Sequence, residues 1–305
     1  MSRRRAVLIW NPAAGARRQQ RLLATARPVL AEAGIVVEAA PTAGPRDATR
    51  LAAAAAAGGA DLVLAMGGDG TVREAAAGLL GTEVPLGILP GGTTNVLARA
   101  LGIPAEPGAA ARLAARVRPR RVDVGRCAGQ PFLMMASAGF DSFLLARLDP
   151  RLKRSFGRLG ILAQGMAELP RYAWPALDLV ADGEPVAASF AAVCNIPFYG
   201  GAFALAPAAC CDDGRLDLVT FRGGGWVSAV GFALALARGA HLGRGDVAVR
   251  PVERVVLTGP PGAEVQIDGD PCAEATLPVE IDVDPRPLVV LAPPGTMSSA
   301  LPAAR

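Results

Sequence analysis

Residues 61–74 read Asp-Leu-Val-Leu-Ala-Met-Gly-Gly-Asp-Gly-Thr-Val-Arg-Glu. An apolar run over 62–65 closes at Met66, four glycine and aspartate residues follow, and a helical pattern then opens. Strand, glycine turn and helix in that order place bare backbone N–H groups at a helix start, where phosphate is favoured. Asp69 lies inside the same turn, and a carboxylate alone would repel phosphate. Its presence points to a metal bridge or to a proton that must be removed, and so to phosphoryl-transfer chemistry.

The alternation extends outward through the first part of the chain. Residues 6–10 form a buried-strand run, and 17–33 a helix with Leu22, Leu23, Ala26, Val29 and Leu30 on one face. Gly34 caps that helix, and Pro28 is expected to kink or shorten it. Residues 35–39 are a second strand, and 47–57 an alanine-rich helix stopped by Gly58-Gly59. The strand at 62–65 is followed by a helix at 71–80, a strand at 86–89 and a helix at 94–101. This pattern predicts an α/β domain with a parallel sheet over residues 1–121.

From residue 122 the texture changes to short runs separated by Gly, Pro and Asp. Residues 132–136, 177–181, 188–194, 216–221, 252–257, 264–267, 279–283 and 288–291 read as strands. Asp182-Gly183 and Asp268-Gly269 are hairpin signals, and helical inserts are expected at 156–169 and 226–237. A β-rich antiparallel sandwich is the expectation for 122–292. Residues 293–305 form a tail that frays or returns to the first domain.

Composition narrows the class further. A chain of 305 residues suits two domains. Its 51% hydrophobic and 19% charged content excludes a disordered chain. The most apolar windows, 51–66 and 226–237, are broken before the ~20 residues that a membrane span needs. Arg3, Arg4 and Arg5 precede too short an apolar run for a secretory signal. Five cysteines without a CxxC pair read as reduced thiols of a cytoplasmic protein. A net charge of +4 suits an anionic partner such as a nucleotide or a lipid surface, without requiring nucleic acid.

Three glycine-bearing loops follow strands of the first domain: Asn11-Pro-Ala-Ala-Gly15, Gly67-Gly-Asp-Gly-Thr71 and Pro90-Gly-Gly-Thr-Thr-Asn95. In a parallel sheet such loops gather at the strands' carboxyl edge, where open α/β sheets bind ligands. Glycine lets the backbone approach phosphate, Thr71 and Thr93 can donate hydroxyl hydrogen bonds, and Asn11 and Asn95 can donate and accept. No G-x-x-x-x-G-K-[ST] motif occurs, and Lys153 is the only lysine. Arginines, backbone dipoles and Mg²⁺ must therefore supply the positive field.

Gly67 through Glu74, with Pro90-x-Gly-Thr-x-Asn-x-x-Ala98, resembles the soluble diacylglycerol kinase catalytic family of lipid kinases. Asn11-Pro12-x-x-Gly15, Thr42 with Asp47-Ala48, Asp123-x-Gly125-Arg126 and Ser137-x-Gly139-x-Asp141 are further matches. So are Asn195-x-x-x-Tyr199-Gly-Gly201, Pro207 with Asp213-Gly-x-Leu-Asp217, and Asp268-Gly269-Asp270. The resemblance implies a two-domain, NAD kinase/diacylglycerol kinase-like protein with ATP in an interdomain cleft. It implies nucleotide contacts from Asn11, Pro12, Gly15, Thr42, Gly67, Gly68, Asp69, Gly70, Thr71, Glu74, Thr93 and Asn95. It also implies that Asp270 is the proton acceptor, with the shorter Asp in place of the family's more usual Glu. A structural Mg²⁺ would be held by the Asp213 carboxylate and the carbonyls of Cys210 and Arg215.

The expected activity is ATP-dependent phosphorylation of a hydroxyl on diacylglycerol or a related lipid. Asp69 would hold Mg²⁺–ATP and Asp270 would take the proton, though the residues alone leave that division open. Expected partners are the lipid substrate and, transiently, the inner membrane face, with a homodimer left open. The basic stretches Arg112, Arg116, Arg118, Arg120, Arg121 and Arg151, Lys153, Arg154, Arg158 suit either membrane docking or a solvated helix face. Phe132, Met134, Met135, Phe140 and Phe143 suit an acyl cleft or ordinary core, and His241 reads as a surface residue. An NAD kinase-like phosphotransferase and a non-catalytic nucleotide- or lipid-binding module are the rival readings.

Overall fold

The computed structural model describes residues 3–148, 160, 163–201, 203–260, 263–275 and 277–294. Two compact units make up the chain: residues up to Val124 with those from Pro285 onward, and Gly125–Asp284.

The first unit alternates β1 (Arg4–Trp10), α1 (Ala16–Glu32), β2 (Ile35–Pro41), α2 (Asp47–Ala57), β3 (Leu62–Gly67), α3 (Asp69–Ala77) and β4 (Leu86–Pro90). Helices α4 (Val96–Ala100) and α5 (Pro107–Arg116) follow, then β5 (Arg120–Cys127). Strands run parallel in the order β2-β1-β3-β4. Every residue of β3 and β4 is buried, as expected of central parallel strands covered on both faces. Register aligns Trp10 with Pro41 and with Met66, and Gly67 with Pro90. The loops that follow these residues therefore leave the sheet along one edge.

Pro28 does not shorten α1, which continues to Glu32. Proline removes the donor that would bond to Ala24, and both residues are exposed, so water can satisfy the freed carbonyl. Helix α5 has no counterpart in the sequence reading. Its start is set by Glu106, whose carboxylate accepts the N–H groups of Gly108 and Ala109 at 2.7 and 2.5 Å.

The second unit contains β6 (Gln130–Phe132), β7 (Met135–Ala138), α6 (Phe140–Ala146), β8 (Leu177–Ala181), β9 (Glu184–Ala188), β10 (Phe190–Cys194), β11 (Phe198–Tyr199), β12 (Phe203–Ala204) and β13 (Leu216–Phe221). After them come α7 (Gly225–Ala237), β14 (Val247–Val252), β15 (Arg254–Thr258), β16 (Val265–Ile267), β17 (Asp270–Pro271) and β18 (Val279–Val290). One antiparallel sheet has the order β14-β13-β10-β7-β16-β17. Strand β15 pairs antiparallel with β8 and with the first half of β18, and β8 with β9. Phe132, Leu177, Leu179, Val193, Leu218, Val255, Leu257 and Ile281 belong to the core that holds these sheets together. On the other face of the six-stranded sheet, Phe190, Val219 and Phe221 pack with Phe232 and Leu236 of α7.

Asp182-Gly183 and Asp268-Gly269 do form hairpin turns, with φ of 49° and 88°, and of 51° and 85°. The run at 132–136 is divided between β6 and β7, and those at 279–283 and 288–291 join into β18. Pro285 and Pro287 suggest a break, but Arg286 takes a left-handed φ of 56° and donates its N–H to Asp123 at 2.8 Å. The divisions between the units fall inside β5 and β18 rather than after residues 121 and 292. Continuous strands hide a boundary that a linker would advertise. Of the expected helix at 156–169, residues 163–168 are helical, and Arg151, Lys153, Arg154 and Arg158 lie outside the described residues.

Candidate functional site

The glycine loops of the first unit converge through backbone contacts. Gly91 N–H donates to the Gly67 carbonyl at 2.8 Å. A Cβ built on Gly92 would lie 2.5 Å from the Gly68 Cα, so only glycine permits this approach. Asn95, with a left-handed φ of 47°, closes its loop by accepting from Gly92 N–H at 2.9 Å and donating to the Gly92 carbonyl at 3.0 Å. The Thr71 side chain folds back over Gly67. Thr42 N–H donates to the Trp10 carbonyl at 2.9 Å, and Asn11 Oδ1 accepts from Ala13 N–H at 2.9 Å across the turn at Pro12. Gly15 leaves that turn with φ of 98°.

The first bond of α3 runs from Val72 N–H to the Gly68 carbonyl. The N–H groups of Asp69, Gly70 and Thr71 precede it and have no acceptor within the helix. A helix start of this kind favours a negative charge. Asp69 does not confront it as a bare charge. Its Oδ1 accepts the Leu97 N–H at 3.1 Å and its Oδ2 the Thr94 hydroxyl at 3.0 Å, which fixes the start of α4. Thr93 is exposed beside this pair.

Glu74 links two helices. It accepts Ala48 N–H at 3.3 Å and, through its backbone carbonyl, the Thr49 hydroxyl at 2.9 Å, joining α3 to α2. Two residues of α1 were not anticipated: Arg18, which donates to the Gly92 carbonyl at 3.3 Å, and the buried Gln19, which donates to that of Gly91 at 3.1 Å. Arg18 brings a guanidinium to loops that carry no lysine. Its position one turn beyond the Asn11–Gly15 loop was the available signal.

The second unit holds a separate polar cluster. Asp268 is buried, and its carboxylate accepts the N–H groups of Leu133, Met134 and Met135 at 2.9, 2.8 and 3.0 Å. Gln266 donates to Ser137 Oγ at 2.6 Å, and Ser137 to Asp141 Oδ2 at 2.5 Å. Tyr199 donates to the same oxygen at 3.3 Å, and Ser142 N–H to Oδ1 at 2.7 Å. Burial pushes the Asp141 carboxyl above its ordinary range, against the pull of these donors. Burial and the charge of Asp141 push the Tyr199 phenol up. Half-buried Asp270 sits at the far side of the Asp268-Gly269 hairpin, paired with Ile267.

Around the expected Mg²⁺ position, exposed Asp213 accepts Arg215 N–H at 3.0 Å, and the Cys210 thiol donates to Asp212 at 2.9 Å. Burial, with the Asp213 charge, raises the Asp217 carboxyl to about 6. Among the described residues no group of three or more His, Cys, Asp or Glu side chains forms a metal site.

Other side chains are accounted for structurally. Phe132, Met134 and Met135 are buried, while Phe140 and Phe143 stack with Tyr172 and Trp174. Arg112 pairs with Glu106 and Arg121 with Glu83. His241 is fully buried, contrary to the expectation of a surface residue, because its Nε2 donates to the Leu205 carbonyl at 2.9 Å.

An α/β unit with these glycine loops and an antiparallel β unit are together the architecture of the diacylglycerol kinase-like fold class. Residues 5–127 match the diacylglycerol kinase catalytic domain, and residues 134–292 the YegS C-terminal NAD kinase beta sandwich-like domain. The chain belongs to this diacylglycerol kinase and YegS-like family of lipid kinases. It is 35% identical to a diacylglycerol kinase of Mycobacterium tuberculosis, over 81% of this chain and 82% of the relative. A protein of Pseudomonas putida named "Probable lipid kinase YegS-like" is 32% identical over 81% and 83%. A solved structure from Bacillus anthracis has a TM-score of 0.82 at 26% identity, covering 96% of each chain. Among the described residues, no helix is long and apolar enough to cross a membrane.

Proposed function

We propose that this lipid kinase transfers the γ-phosphoryl group of ATP to a hydroxyl of diacylglycerol or a related lipid. The observation that carries the reading is the backbone packing of Gly68 against Gly92 beside the open N–H groups of α3. Such a surface accepts phosphate oxygens without steric cost and is ordered before the ligand arrives.

In the proposed reaction, the lipid oxygen bonds to the γ-phosphorus as the bond from phosphorus to the ADP oxygen breaks. Asp270 accepts the hydroxyl proton. Asp69 orders the 90–97 segment and, through its remaining lone pairs, would hold Mg²⁺ with the nucleotide. Asp213, with the Cys210 and Arg215 carbonyls, would hold a structural Mg²⁺. Mg²⁺ held at Asp69 would supply charge neutralisation on the phosphates. Arg18 adds positive charge beside the loops.

The test is radiolabelled ATP incubated with the protein and a mixture of lipid extract, NAD and sugars, separated by chromatography. Label in a phosphorylated neutral lipid is the expected result, whereas label in NADP or in a sugar phosphate overturns the assignment.

A further inference from the structure

Helix α7 presents an outward face that is wholly apolar. Trp226, Val227, Val230, Ala233, Leu234 and Ala237 fall on one side at spacings of one, three and four residues. Trp226, Val227 and Leu234 are 55, 66 and 50% exposed. The opposite side is already engaged, through Phe232 stacked on Phe221 and Leu236 in the core. A helix lying on a soluble surface normally turns charged or polar residues outward, and α7 has no charged residue along its length.

The surroundings continue this character. Phe203 of β12 and Leu242 of the turn after α7 are 41 and 47% exposed, and both segments contact the helix. Arginines stand at its two ends. Arg222 precedes α7 and donates to the Gly245 carbonyl, while Arg238 caps its last turn and donates to the Leu234 carbonyl. Both are exposed, and their side chains bond backbone oxygens rather than carboxylates.

We infer that this face of α7 is a docking surface for an anionic lipid bilayer. It lies in the interfacial plane, with Trp226, Val227 and Leu234 at the acyl boundary and Arg222 and Arg238 at the headgroups. Charge decides against a second copy of the chain: pairing two α7 helices antiparallel would set Arg238 of one beside Arg222 of the other. The inference deepens the proposed function, because a kinase acting on a lipid must reach it in a membrane, but the surface is defined by α7 alone.

The experiment is sedimentation of the full-length protein with vesicles of phosphatidylcholine alone or mixed with phosphatidylglycerol, without nucleotide. Wild type is expected to bind the mixed vesicles and to release with salt. The Trp226→Ser, Leu234→Ser double variant and the Arg222→Gln, Arg238→Gln double variant should each bind roughly tenfold or more weakly. Phosphorylation of a short-chain, water-soluble diacylglycerol should be unchanged in both. Vesicle binding that is equal in wild type and variants, or indifferent to phosphatidylglycerol, overturns the proposal. So does a wild-type dimer in analytical ultracentrifugation that either double variant dissolves. If vesicle binding behaves as expected but no lipid is phosphorylated, the kinase reading fails while the docking surface stands.

Discussion

Oδ1 of Asp69 accepts the backbone N–H of Leu97 at 3.1 Å, tying the glycine loop at 67–71 to the helix that follows the loop at 90–95. A carboxylate beside the free amides that open α3 is thereby given the N–H of a second helix start as its partner. The same bond separates two functions of the residue. Asp69→Asn retains an acceptor for Leu97 while removing the charge that the proposed reaction assigns to a metal, so it should melt close to wild type with turnover reduced at least about a hundredfold. Asp69→Ala should also lose stability, by about 0.5–2 kcal/mol in denaturant titrations. An active Asp69→Asn enzyme would leave the residue a purely structural role.

Gly92 and Gly68 offer a matched pair of substitutions. A Cβ on Gly92 meets the Gly68 Cα at 2.5 Å, whereas a Cβ on Gly68 meets nothing closer than 3.5 Å. Gly92→Ala should therefore cost about 1–3 kcal/mol and distort the loop. Gly68→Ala should fold normally yet weaken ATP binding, because its methyl group would occupy space that the proposed site gives to phosphate. Calorimetric titration of both variants with ATP, beside their thermal midpoints, distinguishes the two effects.

The first unit was legible because its information is local. Strands β2, β3 and β4 end in proline or glycine, and each glycine loop carries its polar groups within six residues. The second unit conceals more, since Asp268 works through three amides more than 130 positions away in sequence. The Ser137–Asp141 segment, Tyr199 and Gln266 likewise come from three separate parts of the chain, and no spacing rule connects those parts. The fold class was readable from alternation in one half and short β runs in the other. Helix α6 was not, because two turns are too short to display a period.

Asp268 and Asp270, two residues apart, should respond in opposite ways. Removing the Asp268 carboxylate strands three buried donors, so Asp268→Ala should cost at least about 3 kcal/mol. Asp270→Asn lies half-buried in the hairpin and should preserve the melting temperature while lowering kcat by roughly a hundredfold or more. Near-normal turnover in Asp270→Asn would remove it as the proton acceptor.

Asp141 sets a pH dependence whose sign follows from its burial. Its carboxyl titrates higher in the folded chain than in the unfolded one, despite donors from Ser137, Ser142 and Tyr199. The folded state therefore binds the proton more tightly, and stability contributed by this group grows as pH falls through the folded value. Relative to Asp141→Asn, wild type should gain stability as pH falls toward the ordinary carboxylate range. Urea titrations across that range check the slope, and a wild type that loses ground to the variant on acidification would reverse the assignment.

His241 holds α7 to the strand region through one bond. Its Nε2 donates to the Leu205 carbonyl at 2.9 Å, and its ring meets Phe232 edge-on at 6.2 Å. The Nδ1 atom is buried without a partner, so the neutral ring with hydrogen on Nε2 is the form that fits. His241→Leu keeps the apolar packing but strands the Leu205 carbonyl, and should cost about 1–3 kcal/mol. His241→Gln carries a side-chain N–H that can reach the same carbonyl and should recover part of that loss. Denaturant midpoints of the two variants decide the point: equal destabilisation would show that ring shape, rather than the bond to Leu205, keeps the helix in place.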